Sequence, residues 1–323
     1  MDEPFFIVGA SRSGTTLMRL VLNSHPDLAV PGETHYFLHV YERYAGTGEW
    51  TKAVEEFLTL CEDRLRPPVD LSEVRANLLS MTEPDFRALL TLPLDLWAAH
   101  EGKPRWGEKT PEHLFCCDQI VKFFPGASFI ELIRDPRAVV ASMGRSKWKS
   151  SDSTRNALYW QYVATTGHER LNHAVAPGKR ISVRYEDLVT YPEPTLRSVC
   201  ELLEVDWDPS ILSFHEQTST YLPADRAEDD PRLRQPFEAD LHGWRNLLTP
   251  RQIAITEAIC AREMATFGYQ REGRNLTLSE RAEIVYKQGY VTWKHRQQRH
   301  KHFHVVTAPP FGRVRRAVQA ART

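Results

Sequence analysis

The chain opens on a short apolar run, Phe5-Phe6-Ile7-Val8-Gly9, rich in β-formers and closed by a glycine. Such a run predicts a buried strand leading into a turn. The period then changes. Leu17, Leu20 and Val21 recur at helical spacing between Thr15 and Asn23, and Pro26 follows, which predicts a helix there. Ala29-Val30 is a candidate second short strand before Pro31-Gly32. Residues 36–100 read as mostly helical, broken at Pro67-Pro68, Pro84 and Pro93. A helix over 113–124 stops at Pro125-Gly126, a strand covers 127–133, and a helix starts near Arg137. Beyond these the pattern predicts a helix over 155–174, a strand over 180–184, a helix over 196–203, a polar loop over 218–236 and a helix over 250–267. Strands alternating with helices imply an α/β fold, a parallel sheet covered on both faces.

Composition narrows the class. Hydrophobic residues make up 41% and charged residues 26%, which suits a globular protein and argues against wholesale disorder. No apolar stretch approaches the roughly 20 residues of a membrane-spanning helix, and no basic leader precedes the first strand. The five cysteines are odd in number and lack CxxC spacing, so neither a disulfide framework nor a zinc site is expected. Together these features predict a cytoplasmic, reduced protein. Charge is uneven: from Arg281 to Thr323 there are ten Lys or Arg against one acid, Glu283, whereas the whole chain carries a net charge of −1. An acidic body with a basic C-terminal extension follows, and the boundary is drawn as 1–272 and 273–323.

Gly9-Ala10-Ser11-Arg12-Ser13-Gly14-Thr15-Thr16 stands between the first strand and the first helix. The GxxxxG spacing is that of a P-loop, in which successive backbone N–H groups and the positive end of a helix cradle an anion. A nucleotide-hydrolysing P-loop carries Lys then Ser/Thr after the second glycine, and here Thr15 takes the lysine position. Arg12 supplies charge within the loop. The pattern fits a phosphate-like group held without a metal.

The residues around this loop are more specific. Ser11 to Arg19, then Asn23-Ser24-His25-Pro26-Asp27 and Gly32-Glu33-Thr34, resemble the sulfotransferases that use 3′-phosphoadenosine 5′-phosphosulfate. The pattern is closest to the protein-tyrosine sulfotransferases and their bacterial relatives. Ile133-Arg134-Asp135-Pro136-Arg137, with Ser142 eight residues after Arg134, resembles the motif that binds the nucleotide's 3′-phosphate. Val183-Arg184-Tyr185-Glu186-Asp187-Leu188 and the pair Gln235-Pro236 before Trp244 resemble later family segments. The resemblance implies that Ser11, Arg12, Ser13, Gly14, Thr15, Thr16, Arg134, Ser142 and Tyr185 bind the donor, whose product is adenosine 3′,5′-bisphosphate, with no metal.

It also implies a division of chemical labour. Glu33 stands 21 residues after Arg12, where the tyrosylprotein enzymes carry their general base. Lys109 matches a lysine that contacts the bridging oxygen, where a cation would stabilise the charge that grows as the S–O bond breaks. Arg12 joins Glu33 and Lys109 in the expected catalytic set. His35 and His113 are rival bases, and His35 replaces an arginine of the tyrosylprotein enzymes. The expected reaction is in-line transfer to a hydroxyl of a sugar, lipid, phenol or tyrosine. Two other readings stay open: a small-molecule kinase on the same loop, and a nucleotide-binding protein without catalysis. The basic tail, with its interleaved Trp293, Phe303 and histidines, is read as docking on the acidic body or on a second subunit, as in a homodimer. An anionic membrane surface is the alternative partner, and nucleic acid is not expected.

Overall fold

Phe5–Gly9 forms the central strand, β1, and every residue in it is buried. This comes from a computed structural model that describes residues 3–65, 68–146, 150–222, 231–237 and 241–298, without the side chains of 231, 232 and 290–298. Helix α1, Thr15–Asn23, follows β1 directly. The other strands are β2 (Leu28–Ala29), β3 (Arg105–Lys109), β4 (Ser128–Ile133) and β5 (Arg180–Arg184). They pair in parallel in the order β2-β3-β1-β4-β5. The order reverses at β1, since the chain first builds outward to β2 and later adds β4 on the other flank. In open α/β sheets ligands bind outside the carboxyl ends of the strands at such a switch point.

The chain forms two compact units, residues 1–133 with 166–239, and residues 134–165 with 240–323. The first holds the whole sheet. Its core centres on Phe6, whose ring lies 5.5 Å from Phe129 and 6.0 Å from Phe124, with Phe37 and Trp106 edge-on. Between β2 and β3 come a π-helical turn (Tyr36–Tyr41) and helices α2 (Trp50–Arg64), α3 (Ser72–Ser80) and α4 (Phe86–His100). A 3-10 turn (Pro111–Cys116) and α5 (Cys117–Phe123) then lead into β4. In the second unit α6 (Pro136–Arg145) and α7 (Ser153–Tyr162) pack with Pro250–Ile259. Helix α8 (His168–Ala174) returns the chain to the first unit before β5.

Several expectations shift. Pro93 does not break a helix: it lies inside α4, buried beside Leu89, Leu90, Leu94 and Trp97, whose apolar packing offsets one lost backbone bond. The 113–124 helix is a 3-10 turn followed by α5, and the long 155–174 helix contains a π-helical stretch, Val163–Gly167. The last body helix is interrupted at Cys260. Strand β3 was not anticipated at all. Part of the expected 218–236 loop, residues 223–230, lies outside the described residues.

The beginning of the basic extension packs within the second unit. In the first unit α9 (Tyr185–Thr190) and α10 (Pro192–Leu203) follow β5, with shorter helical turns at Pro209–Glu216 and Thr218–Tyr221 after them; in the second, α11 is Pro250–Ile259, α12 is Ala261–Thr266 and α13 is Leu278–Gln298. Glu283 of α13 accepts from the Thr154 hydroxyl at 3.1 Å, and Lys287 pairs with Asp152 at 2.8 Å. Residues 299–323 of the tail lie outside the described residues. Among the described residues no helix is long and apolar enough to cross a membrane. All five cysteines are free thiols.

Candidate active site

The loop after β1 is shaped by close approach. Gly9 has φ +139°, and a Cβ there would run into the backbone carbonyl of Leu132 on β4. The chain then turns, with the Ser13 amide donating to the Ala10 carbonyl at 3.1 Å. Arg12 (φ 72°) and Gly14 (φ 96°) both take the left-handed conformation. A non-glycine residue there costs about 1–2 kcal/mol, a strain that the surrounding structure must hold. Gly14 is the N-cap of α1 and lends it no side chain, so the first amides of the helix open towards the loop. Ser13 is wholly enclosed, and its hydroxyl has no hydrogen-bond partner among the described residues. The Ser11 hydroxyl is held by Glu112 at 2.8 Å. A Cβ at Gly14 would strike the ring of Tyr185, so glycine there lets the tyrosine, itself buried at the start of α9, lie against the loop.

A lysine reaches the start of α1 from another strand. Lys109 is the last residue of β3 and is 2% exposed. Its ammonium lies 3.4 Å from Thr16 Oγ1 and 2.5 Å from Glu33 Oε1. Glu33 Oε2 faces His35 Nε2 at 3.3 Å, and the His35 ring stacks on His39 at 5.1 Å. The Glu33–Lys109 pair therefore stands beside the start of α1, with one carboxylate oxygen on the lysine and the other on a histidine.

His113 has a different setting. It is fully buried, its Nδ1 lies 2.7 Å from Glu108 Oε2, and its Nε2 accepts from the Phe37 amide at 3.3 Å. An amide can only donate, so Nε2 is unprotonated and the proton sits on Nδ1, facing the carboxylate. Both nitrogens are occupied.

In the second unit, Arg134 and Ser142 are both buried, and the Arg134 carbonyl accepts from the Trp160 indole at 3.0 Å. Asp135 caps α6 by accepting from the Arg137 amide at 2.8 Å and takes the Arg137 guanidinium at 2.6 Å. Trp244 lies under that guanidinium, 4.2 Å from its ring centre. Gln235 and Pro236 belong to the first unit. Ser11 to Thr16, Glu33, Lys109 and Tyr185 thus meet within the first unit, and Arg134 and Ser142 are placed in the second. Sequence reasoning missed Glu108, Thr34, Thr110 and Glu112, each of which holds a neighbour of a candidate residue. Two of them, Glu108 and Thr110, flank Lys109 in sequence, and that adjacency was the available signal.

A glycine-bounded loop between β1 and α1, with a lysine of the neighbouring parallel strand beside it, defines a P-loop-like α/β fold. Residues 4–209 match the model of the sulfotransferase family, and the chain belongs to that family. It is 30% identical over 217 residues to a protein-tyrosine sulfotransferase of Drosophila melanogaster, covering 65% of this chain and 40% of that one. It is 30% identical over 221 residues to protein-tyrosine sulfotransferase 1 of Homo sapiens, covering 67% and 55%. The chain spans about half the length of these relatives. The sulfotransferase domain from the Synechococcus PCC 7002 olefin synthase has the same fold, with a TM-score of 0.58 at 23% identity over 83% of this chain and 95% of that one.

Proposed function

We propose that this chain transfers a sulfuryl group from 3′-phosphoadenosine 5′-phosphosulfate to a hydroxyl acceptor, with Glu33 as general base. The observation that carries the reading is the Glu33–Lys109 pair beside Thr16 at the mouth of the phosphate loop. The loop suits the donor's phosphosulfate: it offers an enclosed Ser13 hydroxyl without a partner among the described residues, open helix amides, and Arg12. The donor supplies an activated S–O bond. Glu33 takes the proton of the acceptor hydroxyl as its oxygen bonds to sulfur. Lys109 meets the negative charge that builds on the phosphate oxygen as the old S–O bond breaks, and adenosine 3′,5′-bisphosphate leaves. His113 does not compete as base, because both its nitrogens are engaged. His35 stays next to Glu33 and can take the proton onward.

Arg134 and Ser142 are assigned to the donor's 3′-phosphate, by resemblance to the family motif. The tyrosylprotein relatives favour a phenolic hydroxyl as acceptor. His35, where those enzymes carry an arginine, is the position at which acceptor choice would diverge.

Calorimetry in EDTA tests the donor. Adenosine 3′,5′-bisphosphate should bind without metal, and Arg134→Ala should weaken it by about 1.5–3 kcal/mol, the scale of a charge-assisted hydrogen bond. Equal affinity for adenosine 5′-monophosphate would remove the 3′-phosphate assignment. Tighter binding of ATP with magnesium would favour a kinase instead.

A further inference from the structure

Glu108 precedes Lys109 on β3 and is completely enclosed. Its Oε1 accepts from the Thr34 amide at 3.1 Å, the Thr34 hydroxyl at 2.8 Å and the Thr110 hydroxyl at 2.6 Å. Its Oε2 accepts from His113 Nδ1 at 2.7 Å. The partners pass the contact on. Thr110 Oγ1 accepts from the His35 amide at 3.1 Å, Thr34 Oγ1 from the Tyr36 amide at 3.3 Å, and His113 Nε2 from the Phe37 amide at 3.3 Å. The four consecutive amides after Glu33 are thus tied to one carboxylate, directly or through a single side chain. Burial by itself would raise the Glu108 carboxyl, but His113, Thr110 and Thr34 outweigh it and hold the group below its usual range.

The segment so held is not one the backbone would adopt unaided. His35 sits at φ 51° and the chain then enters a π-helical turn. Both are uncommon conformations that need outside support. We propose that Glu108 is a positioning residue for sulfuryl transfer: by fixing the backbone of 34–37 it sets Glu33 against the ammonium of Lys109, its own neighbour in the chain. The inference rests on the reading of Glu33 as base. It couples the acceptor side and the leaving-group side of the reaction through two adjacent residues of one strand.

The network has a fixed polarity, which makes it testable. In Glu108→Gln the shape is kept, but one oxygen becomes an NH2 donor. Turned towards Thr34 and Thr110, that donor meets three others. Turned towards His113, it meets the Nδ1 proton, and moving the proton to Nε2 sets it against the Phe37 amide. In His113→Gln, by contrast, a neutral amide still offers one donor and one acceptor, as the imidazole does.

The experiment uses the full chain. Binding of adenosine 3′,5′-bisphosphate is measured by calorimetry, and amide exchange over 34–37 by mass spectrometry. Turnover is read as 4-nitrophenolate released from 4-nitrophenyl sulfate with adenosine 3′,5′-bisphosphate. Glu108→Gln should lower kcat by about 10²-fold, the cost of a misplaced catalytic group, while KM and the nucleotide Kd stay put and exchange over 34–37 accelerates. His113→Gln should keep most of the turnover and the slow exchange. Unchanged kcat and exchange in Glu108→Gln would overturn the inference. Where Glu108→Gln does not fold, Thr34→Val and Thr110→Val each remove one hydroxyl from the same carboxylate. Faster exchange in both would support the inference, and unchanged exchange in both would overturn it. A wild-type chain that neither binds adenosine 3′,5′-bisphosphate nor turns over would instead sink the sulfotransferase reading. A dead His113→Gln beside an active Glu33→Gln would move the base to the histidine.

Discussion

Glu108 in the first unit and Glu257 in the second are both fully buried carboxylates that accept from backbone amides, yet they are neutralised in different ways. Glu257 takes the Arg137 guanidinium at 2.7 Å and the amides of Glu272 and Gly273 at 2.9 and 2.8 Å. A full positive charge balances it, and Arg137 is held on its other side by Asp135. Glu108 is balanced by hydroxyls, an amide and one imidazole proton. The first kind of burial clasps a chain segment and needs only that charge be conserved. The second kind depends on which atom carries each proton. A fold can use the one as a rivet and the other as a jig.

The largest effect should come from removing the proposed proton acceptor, Glu33, while leaving its frame intact. Glu33→Gln is expected to cut transfer by about 10²–10⁴-fold, the usual contribution of a general base. The amide oxygen still accepts from Lys109, so nucleotide binding and thermal stability should be retained. Near-normal turnover in this variant would leave the Glu108 frame without a catalytic purpose. The opposite loss is expected at the rivet. Glu257→Ala leaves the buried Arg137 with only part of its compensation, and should cost about 3–5 kcal/mol of stability in urea unfolding. The folded fraction should still turn over. A cost below about 1 kcal/mol would show that Asp135 alone satisfies Arg137.

A third buried carboxylate, Glu131 on β4, lies between the two cases. It accepts from the Ser182 hydroxyl at 2.6 Å and from His168 Nδ1 at 2.8 Å, so its partner is an imidazole that titrates. The hydrogen bond to Glu131 raises the His168 pKa, against the opposing pull of burial. A raised histidine contributes stability that is complete below its unfolded value, roughly 6.5, and is lost as pH rises through the folded value. The melting-temperature gap between the wild type and His168→Gln should therefore be widest near pH 6 and shrink towards about pH 9. A gap that widened with pH would mean that the neutral imidazole is the stabilising form.

The elements that build the phosphate loop were legible because they obey simple periods. Phe5–Gly9 is apolar throughout, Thr15–Asn23 repeats at helical spacing, and Arg180–Arg184 is a short run after Pro177-Gly178 that leads directly into α9. Strand β3 was not legible because Arg-Trp-Gly-Glu-Lys looks like a loop. It is buried by satisfying its polar groups one at a time. Arg105 donates to the Glu3 carbonyl at 2.7 Å, Trp106 to Asp95 at 2.7 Å, and Glu108 collects the donors described above. Hydrophobic patterning cannot see a strand whose burial is bought with hydrogen bonds. The same blindness hid the site's frame: Glu33 and Lys109 came from a resemblance, whereas the residues between them are recognisable only once β3 is known to lie inside. Gly14 was expected as a phosphate-loop glycine, but its contact with Tyr185 joins residues 171 positions apart and has no local signature.

The free thiols have a practical consequence. Burial pushes the Cys61, Cys117 and Cys260 thiols well up, Cys200 to about 11, and the half-buried Cys116 to about 12. The thiolate is the reactive species, so maleimides at neutral pH should leave the native chain largely unlabelled. A cysteine introduced by design would then be the one handle that takes a dye, with no need to strip out the natural five. Placed on the outer face of the 36–41 turn, it would let a fluorophore follow the segment next to Glu33 in real time, as nucleotide and acceptor arrive.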